Sequence, residues 1–117
     1  MNQKIRVVHY LNQFFAQIGG EDKGDVGPTV KAGVIGAGRA LQQALGEDAE
    51  VVATIFCGDN FFAENQDQAI AELLRHVAEY KADLLIAGPA FESGRYGVAC
   101  GAICQAAKQK LGIASGA

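Results

Sequence analysis

The chain has 117 residues, half of them hydrophobic and 20% charged, with a net charge of −3 and a pI near 5.3. This length fits one domain built on a single core, and the acidic balance, without any cluster of Lys and Arg, excludes an electrostatic footprint for DNA or RNA. No stretch approaches the roughly 20 apolar residues that span a bilayer, and three cysteines without framework spacing read as reduced thiols of a cytoplasmic protein.

In chain order, Ile5–Leu11 (IRVVHYL) is a first β-rich run, stopped by polar Asn12-Gln13. From Gln13 to Val34 no element is evident. The segment is rich in Gly and acids (GGEDKGDVGP) and is expected to be a surface loop over the edge of a sheet. Loops above ~15 residues in a compact domain are usually functional or disordered. GRALQQALG places Ala40, Leu41, Ala44 and Leu45 on one helical stripe, with Gly46 as its C-cap. Glu50–Cys57 (EVVATIFC) is a second β-run, closing at Gly58-Asp59-Asn60.

QDQAIAELLRHVAEYKA then sets Ala69, Ile70, Leu73, Leu74, Val77 and Ala78 on one face, with an acidic start and a basic end that suit the helix dipole. Ala82–Gly88 (ADLLIAG) is the third β-run. The last helix, YGVACGAICQAAKQKLG, is apolar on almost all sides through Cys104 and polar after it, and its small residues are expected to let neighbouring backbones approach. At Gly112-Ile113 a further strand would start, but the chain reaches ASGA, so a fourth strand is expected to be missing.

The three β-runs are continuous rather than alternating, as strands buried on both faces are, and they alternate with helices. The expected fold is α/β: one domain spanning residues 1–117, three-layered and flavodoxin-like or Rossmann-like, with a short parallel sheet of at least three strands in the order 2-1-3. An exposed sheet edge would favour a homo-oligomer or a partner chain.

Parallel strands bring their trailing turns to one edge, where ligands of open α/β sheets bind. Those turns carry Asn12-Gln13, Asp59-Asn60 and the Glu92–Tyr96 segment. Arg95, beside a helix start, suits a carboxylate or phosphate. Asn12, Gln13 and Asn60 suit the orientation of a small polar ligand, Asp59 suits an amine or the role of a base, and Tyr96 is counted with them among the substrate-binding residues. The bland alternative is that these are turn and capping residues. Cys57 ends a strand at that same edge and is a possible thiol nucleophile, but neither His9 nor His76 is placed to serve it as a base. Cys100 and Cys104 lie one turn apart on an apolar helical line and read as packing residues; a structural metal would need four ligands. Gly36-Ala37-Gly38, with Asp59 about twenty residues on, imitates a dinucleotide fingerprint. The third glycine position holds Leu41, however, and no long strand precedes the motif.

VVHYLNQFFAQIGGEDKGDVGP, CGDNFFAEN and AGPAFESGRYGVACG closely resemble the start of the selenoprotein B subunits of glycine, sarcosine and betaine reductases, the gamma subunit of component B. The likeness runs from Ile5 to Ile113. It implies an oxidoreductase role in amino-acid fermentation. A pyruvoyl-bearing partner subunit would hold a small amino-acid substrate as a Schiff base, and a selenocysteine of the B subunit would displace the nitrogen. A small selenoprotein and thioredoxin would complete the cycle. The family's selenocysteine lies beyond the matched part, and none of Cys57, Cys100 or Cys104 stands in its place. The resemblance therefore implies either an N-terminal part of a longer subunit or a short relative without the full reaction, in both cases without a cofactor of its own and inactive alone. The residues themselves leave two other readings open: a binding module for a small carboxylate or nucleotide, and an assembly domain without catalysis.

Overall fold

The computed structural model describes residues 4–88 and 94–116, with the side chains of Glu21 and Arg95 outside that description. The three apolar runs form strands β1 (Ile5–Asn12), β3 (Ala49–Cys57) and β4 (Leu84–Ala87). β1 pairs in parallel with β3 on one side and β4 on the other. Two short strands extend this core, β2 (Thr29–Ala32) and β5 (Ala114–Gly116), giving five strands in the order β2-β3-β1-β4-β5. β2 runs antiparallel to β3, while β5 runs parallel to β4. The three long runs therefore stand in the expected parallel 2-1-3 order.

Both faces of the sheet are covered, which is why β1 reads as an unbroken apolar run. Val8 and Tyr10 of β1 pack with Leu85 of β4 against Phe62, Leu73, Val77, Tyr96 and Ile103 from helices α2 (Asp59–Glu64), α3 (Gln66–Glu79) and α4 (Gly94–Leu111). Val7 and Val51 face the opposite way, toward Leu41 and Leu45 of α1 (Gly38–Leu45). In β3, Val51 faces α1 but Ala53, two residues on, lies in the other core. The cause is a register shift: Val7 pairs with Val51 and Val8 with Ala53, so Val52 is the extra residue of a bulge. Its carbonyl accepts the Gly33 N–H at 2.9 Å, where β2 leaves the sheet.

Three expectations are corrected. The segment from Gln13 to Val34 is not one long loop: it contains a 3₁₀ turn (Glu21–Lys23) and β2, whose Val30 pairs with Ile55. A further strand does follow the last helix, since β5 pairs Ala114 with Leu84 and covers the edge of β4. Ser115 Oγ donates to the Cys104 carbonyl, and Cys104 Sγ donates to the Gly116 carbonyl, so α4 itself holds β5. Finally, Gly101 of α4 is exposed and a Cβ there would meet nothing, so it serves no close backbone approach.

Candidate functional site

β1 and β3 end in register, with Asn12 opposite Cys57, and α2 begins two residues later at Asp59. The parallel arrangement thus brings together two residues far apart in sequence. Asn12 Nδ2 donates to Asp59 Oδ2 at 2.9 Å. Asn12 Oδ1 accepts the Phe15 N–H at 2.9 Å, so both ends of the amide are engaged and its orientation is determined. Gln13 Oε1 accepts the backbone N–H of Asp59 at 3.1 Å. Asn12 and Gln13 are buried, whereas Asp59 and Asn60 are half-buried at the start of α2.

Tyr96, in the first turn of α4, is buried beside this group. Its ring stacks on Phe15 with centroids 5.5 Å apart and tilts against Tyr10 at 6.3 Å. Tyr10 in turn meets Phe62 of α2 at 6.1 Å. An aromatic wall therefore joins β1, α2 and α4 beneath the Asn12–Asp59 pair. The Tyr10 hydroxyl is fully buried and makes no hydrogen bond among the described residues. Burial holds both phenols well above their ordinary range, and the nearby Asp59 carboxylate adds to the effect.

Cys57 is fully buried and donates its thiol to the Val26 carbonyl at 3.6 Å. Burial first, then the negative charges of Asp59 and Glu72, push its pKa up to about 12. Cys100 is pushed up to about 12 by burial, partly offset by the nearby Tyr96 side chain. Both remain thiols at neutral pH, and neither is a ready nucleophile. Arg95 lies in α4, but its side chain is outside the described residues, as are residues Glu92 and Ser93 of the turn before it. Among the described residues no group of three or more His, Cys, Asp or Glu could hold a metal ion.

The glycine turn that imitates a dinucleotide fingerprint has a packing explanation. Gly36 has φ +52, and a Cβ there would overlap the Phe15 carbonyl oxygen. The same carbonyl accepts the Ala37 N–H at 3.1 Å, and Gly38 lies over the His9 ring. The preceding strand β2 is a short antiparallel edge strand, so the βαβ context of a nucleotide site is missing. The turn does form one wall of an open cavity of about 540 Å³, whose other walls include Phe14, Phe15, Ile18 and Gly20.

Two contributions were not assigned from the sequence. Gln13 was expected to orient a ligand at the strand end; its grip on the Asp59 amide has no sequence signature. Tyr10 was hidden inside the apolar run, and only its phenol, unusual among Val and Leu, marks it.

The family model described as glycine/sarcosine/betaine reductase selenoprotein B matches residues 4–116. The chain belongs to this family. It is 56% identical over 110 residues to the glycine reductase complex component B subunit gamma of Carboxydothermus hydrogenoformans, covering 94% of this chain and 25% of that one. It is 50% identical over 113 residues to the sarcosine reductase complex component B subunit beta of Peptoclostridium acidaminophilum, covering 97% of this chain and 26% of the relative. With the betaine reductase complex component B subunit beta of the same organism it shares 46% identity over 108 residues, 92% of this chain and 24% of the relative. The chain thus spans about a quarter of the length of these relatives. All three are named as components of reductase complexes. No solved structure matches the chain. Among its described residues no helix is long and apolar enough to cross a membrane.

Proposed function

We propose that this chain supplies a substrate-holding wall of a component B reductase subunit acting on glycine or an N-methylated glycine in the cytoplasm. Asn12, Asp59 and Asn60 orient the polar groups of the small amino acid, Tyr96 closes the aromatic side, and Arg95 takes the carboxylate. The observation that carries this reading is the Asn12–Asp59 bond, which fixes a half-buried carboxylate at the carboxyl ends of parallel strands. The redox step is assigned to no cysteine of this chain. Burial of Cys57 and Cys100 supports that assignment, because each is held as a thiol near pKa 12. The selenocysteine that the family uses, the pyruvoyl-bearing subunit and the small selenoprotein would come from elsewhere in the complex.

Calorimetric titration of the chain with glycine, sarcosine and betaine tests the reading, with NAD and FMN as controls. Binding of at least one of the three that is lost in Asp59→Asn is the expected result. Binding of the nucleotides alone, or of none of the five, overturns it.

A further inference from the structure

Phe14 and Ile18 are large apolar side chains left outside the core, 61% and 36% exposed. Both line the open cavity of about 540 Å³ between the loop after β1 and the start of α1, together with Phe15, Gln17, Gly36 and Ala37. None of the described residues lining it is charged, although 20% of the chain is. The loop is held in place by its backbone. Gln17 sits at φ +62, which L residues rarely adopt, and its N–H donates to the Phe14 carbonyl at 3.0 Å. The Ile18 N–H donates to the Gln13 carbonyl at 3.0 Å, and the Ala37 N–H ties the start of α1 to the Phe15 carbonyl at 3.1 Å. Phe14 meets Phe15 edge-on, with ring centroids 5.2 Å apart. The cavity is therefore preformed, uncharged and aromatic on one side.

We propose that this cavity is the docking site for an apolar side chain from the remaining part of the same component B subunit. The chain spans about a quarter of the length of its relatives, so about three quarters of such a subunit lies outside the fold described above. Permanently covered surfaces resemble a core cut in half, whereas surfaces that partners visit and leave are about as polar as the rest of the molecule. A charge-free cavity with an exposed phenylalanine on its wall is of the first kind. A second copy of the chain is the competing permanent cover. A segment of the same polypeptide has the advantage over it, because its attachment gives it a high effective concentration at the cavity. The filled cavity holds the loop against α1 and, through Phe15, bears on Tyr96, whose ring stacks on Phe15 at 5.5 Å. The proposal does not depend on the substrate reading of Asn12 and Asp59.

The experiment introduces Phe14→Cys into two proteins: the 117-residue chain, and the full-length gamma subunit that is 56% identical to it, with the matched part of that subunit exchanged for this chain. Maleimide labelling at neutral pH is followed by mass spectrometry of the peptide that carries position 14. Protection of the buried Cys57 reports that each protein is folded. The introduced thiol is expected to label as a free surface thiol in the chain alone, and on the order of tenfold more slowly in the full-length exchange protein. Equal rates in the two folded proteins overturn the proposal. Sedimentation tests the competing cover. A chain that is dimeric as wild type and monomeric as Phe14→Ser assigns the cavity to a second copy and overturns the proposal; a mass that Phe14→Ser leaves unchanged is the expected result. Should Cys57 be reactive in the exchange protein, the cysteine is placed instead at the residue aligned with Phe14 in the unaltered full-length subunit. There, labelling as fast as in the 117-residue chain overturns the proposal and slow labelling supports it.

Discussion

His9, in the middle of β1, donates its Nε2 hydrogen to the carbonyl of Gly88, just past the end of β4, while its Nδ1 edge lies under Gly38 at the start of α1. One buried imidazole thus touches the turn after β4 and the first residue of a helix on the other side of β1. Nδ1 has no hydrogen-bond partner among the described residues, which identifies the neutral ring with its proton on Nε2. Burial lowers the pKa of His9 below its ordinary 6.5, with the Gly88 bond partly opposing that shift.

It follows that His9 links stability to pH. The folded state binds the proton less well than the unfolded state. Stability therefore holds above pH 6.5 and is lost as pH falls from there through the folded pKa, with a slope of at most about 1.4 kcal/mol per pH unit. Urea unfolding at pH 7.5, 6.0 and 5.0 measures this. His9→Gln keeps a donor for Gly88 and is expected to cost about 1 kcal/mol at pH 7.5, with a shallower decline below pH 6.5. Parallel curves for the two proteins would show that His9 is not the group responsible.

Two glycines give opposite outcomes with alanine. Gly36 has φ +52 and abuts the Phe15 carbonyl, so Gly36→Ala strains the backbone and forces apart the loop and α1. A loss of about 2 kcal/mol or more is expected. Gly101 is exposed within α4 and a Cβ there meets open space, so Gly101→Ala is expected to stabilise by roughly 0.5–1 kcal/mol. Denaturant midpoints with unchanged m-values separate these cases.

How much of this was legible beforehand depends on how each element earns its place. β1, β3 and β4 are buried on both faces, and continuous runs such as Val7-Val8-His9-Tyr10-Leu11 declare that burial directly. β2, α2 and β5 are four, six and three residues long, too short to display a period. They exist because a neighbour supplies their bonds: β3 pairs with Thr29–Ala32, and β4 with Ala114–Gly116. At the site, the convergence of Asn12 and Asp59 followed from parallel strand ends. The link from Gln13 to a backbone amide 46 positions away did not, because any acceptor of the right length satisfies an N–H and leaves no pattern in the sequence.

The three free cysteines are expected to differ in reactivity. Cys57 and Cys100 are buried and lifted to about 12, whereas Cys104 is only half-buried, though burial raises its pKa too. Alkylation at pH 8 followed by mass spectrometry should label Cys104 first, with Cys57 and Cys100 reacting at the rate of unfolding. Because Cys104 Sγ donates to the Gly116 carbonyl, its modification is also expected to speed amide exchange in β5. Labelling of Cys57 as fast as Cys104 would contradict the buried strand end described here.

Asn12→Asp tests the centre of the site most directly. The substitution keeps the oxygen that accepts the Phe15 N–H but replaces the Nδ2 donor with a second carboxylate oxygen facing Asp59 Oδ2, where the wild-type separation is 2.9 Å. Two carboxylates that close cannot both ionise without repulsion, so one of them must take up a proton. Relative to wild type the variant is expected to lose about 1–3 kcal/mol at pH 7. The pair's raised affinity for a proton belongs to the folded state alone, so the deficit shrinks as pH falls below the pair's folded pKa and approaches its minimum near pH 4. The comparison is the difference between variant and wild type at each pH, which removes the common decline from His9. A deficit that stays constant from pH 7 to pH 4 would mean that the two side chains do not face one another as described.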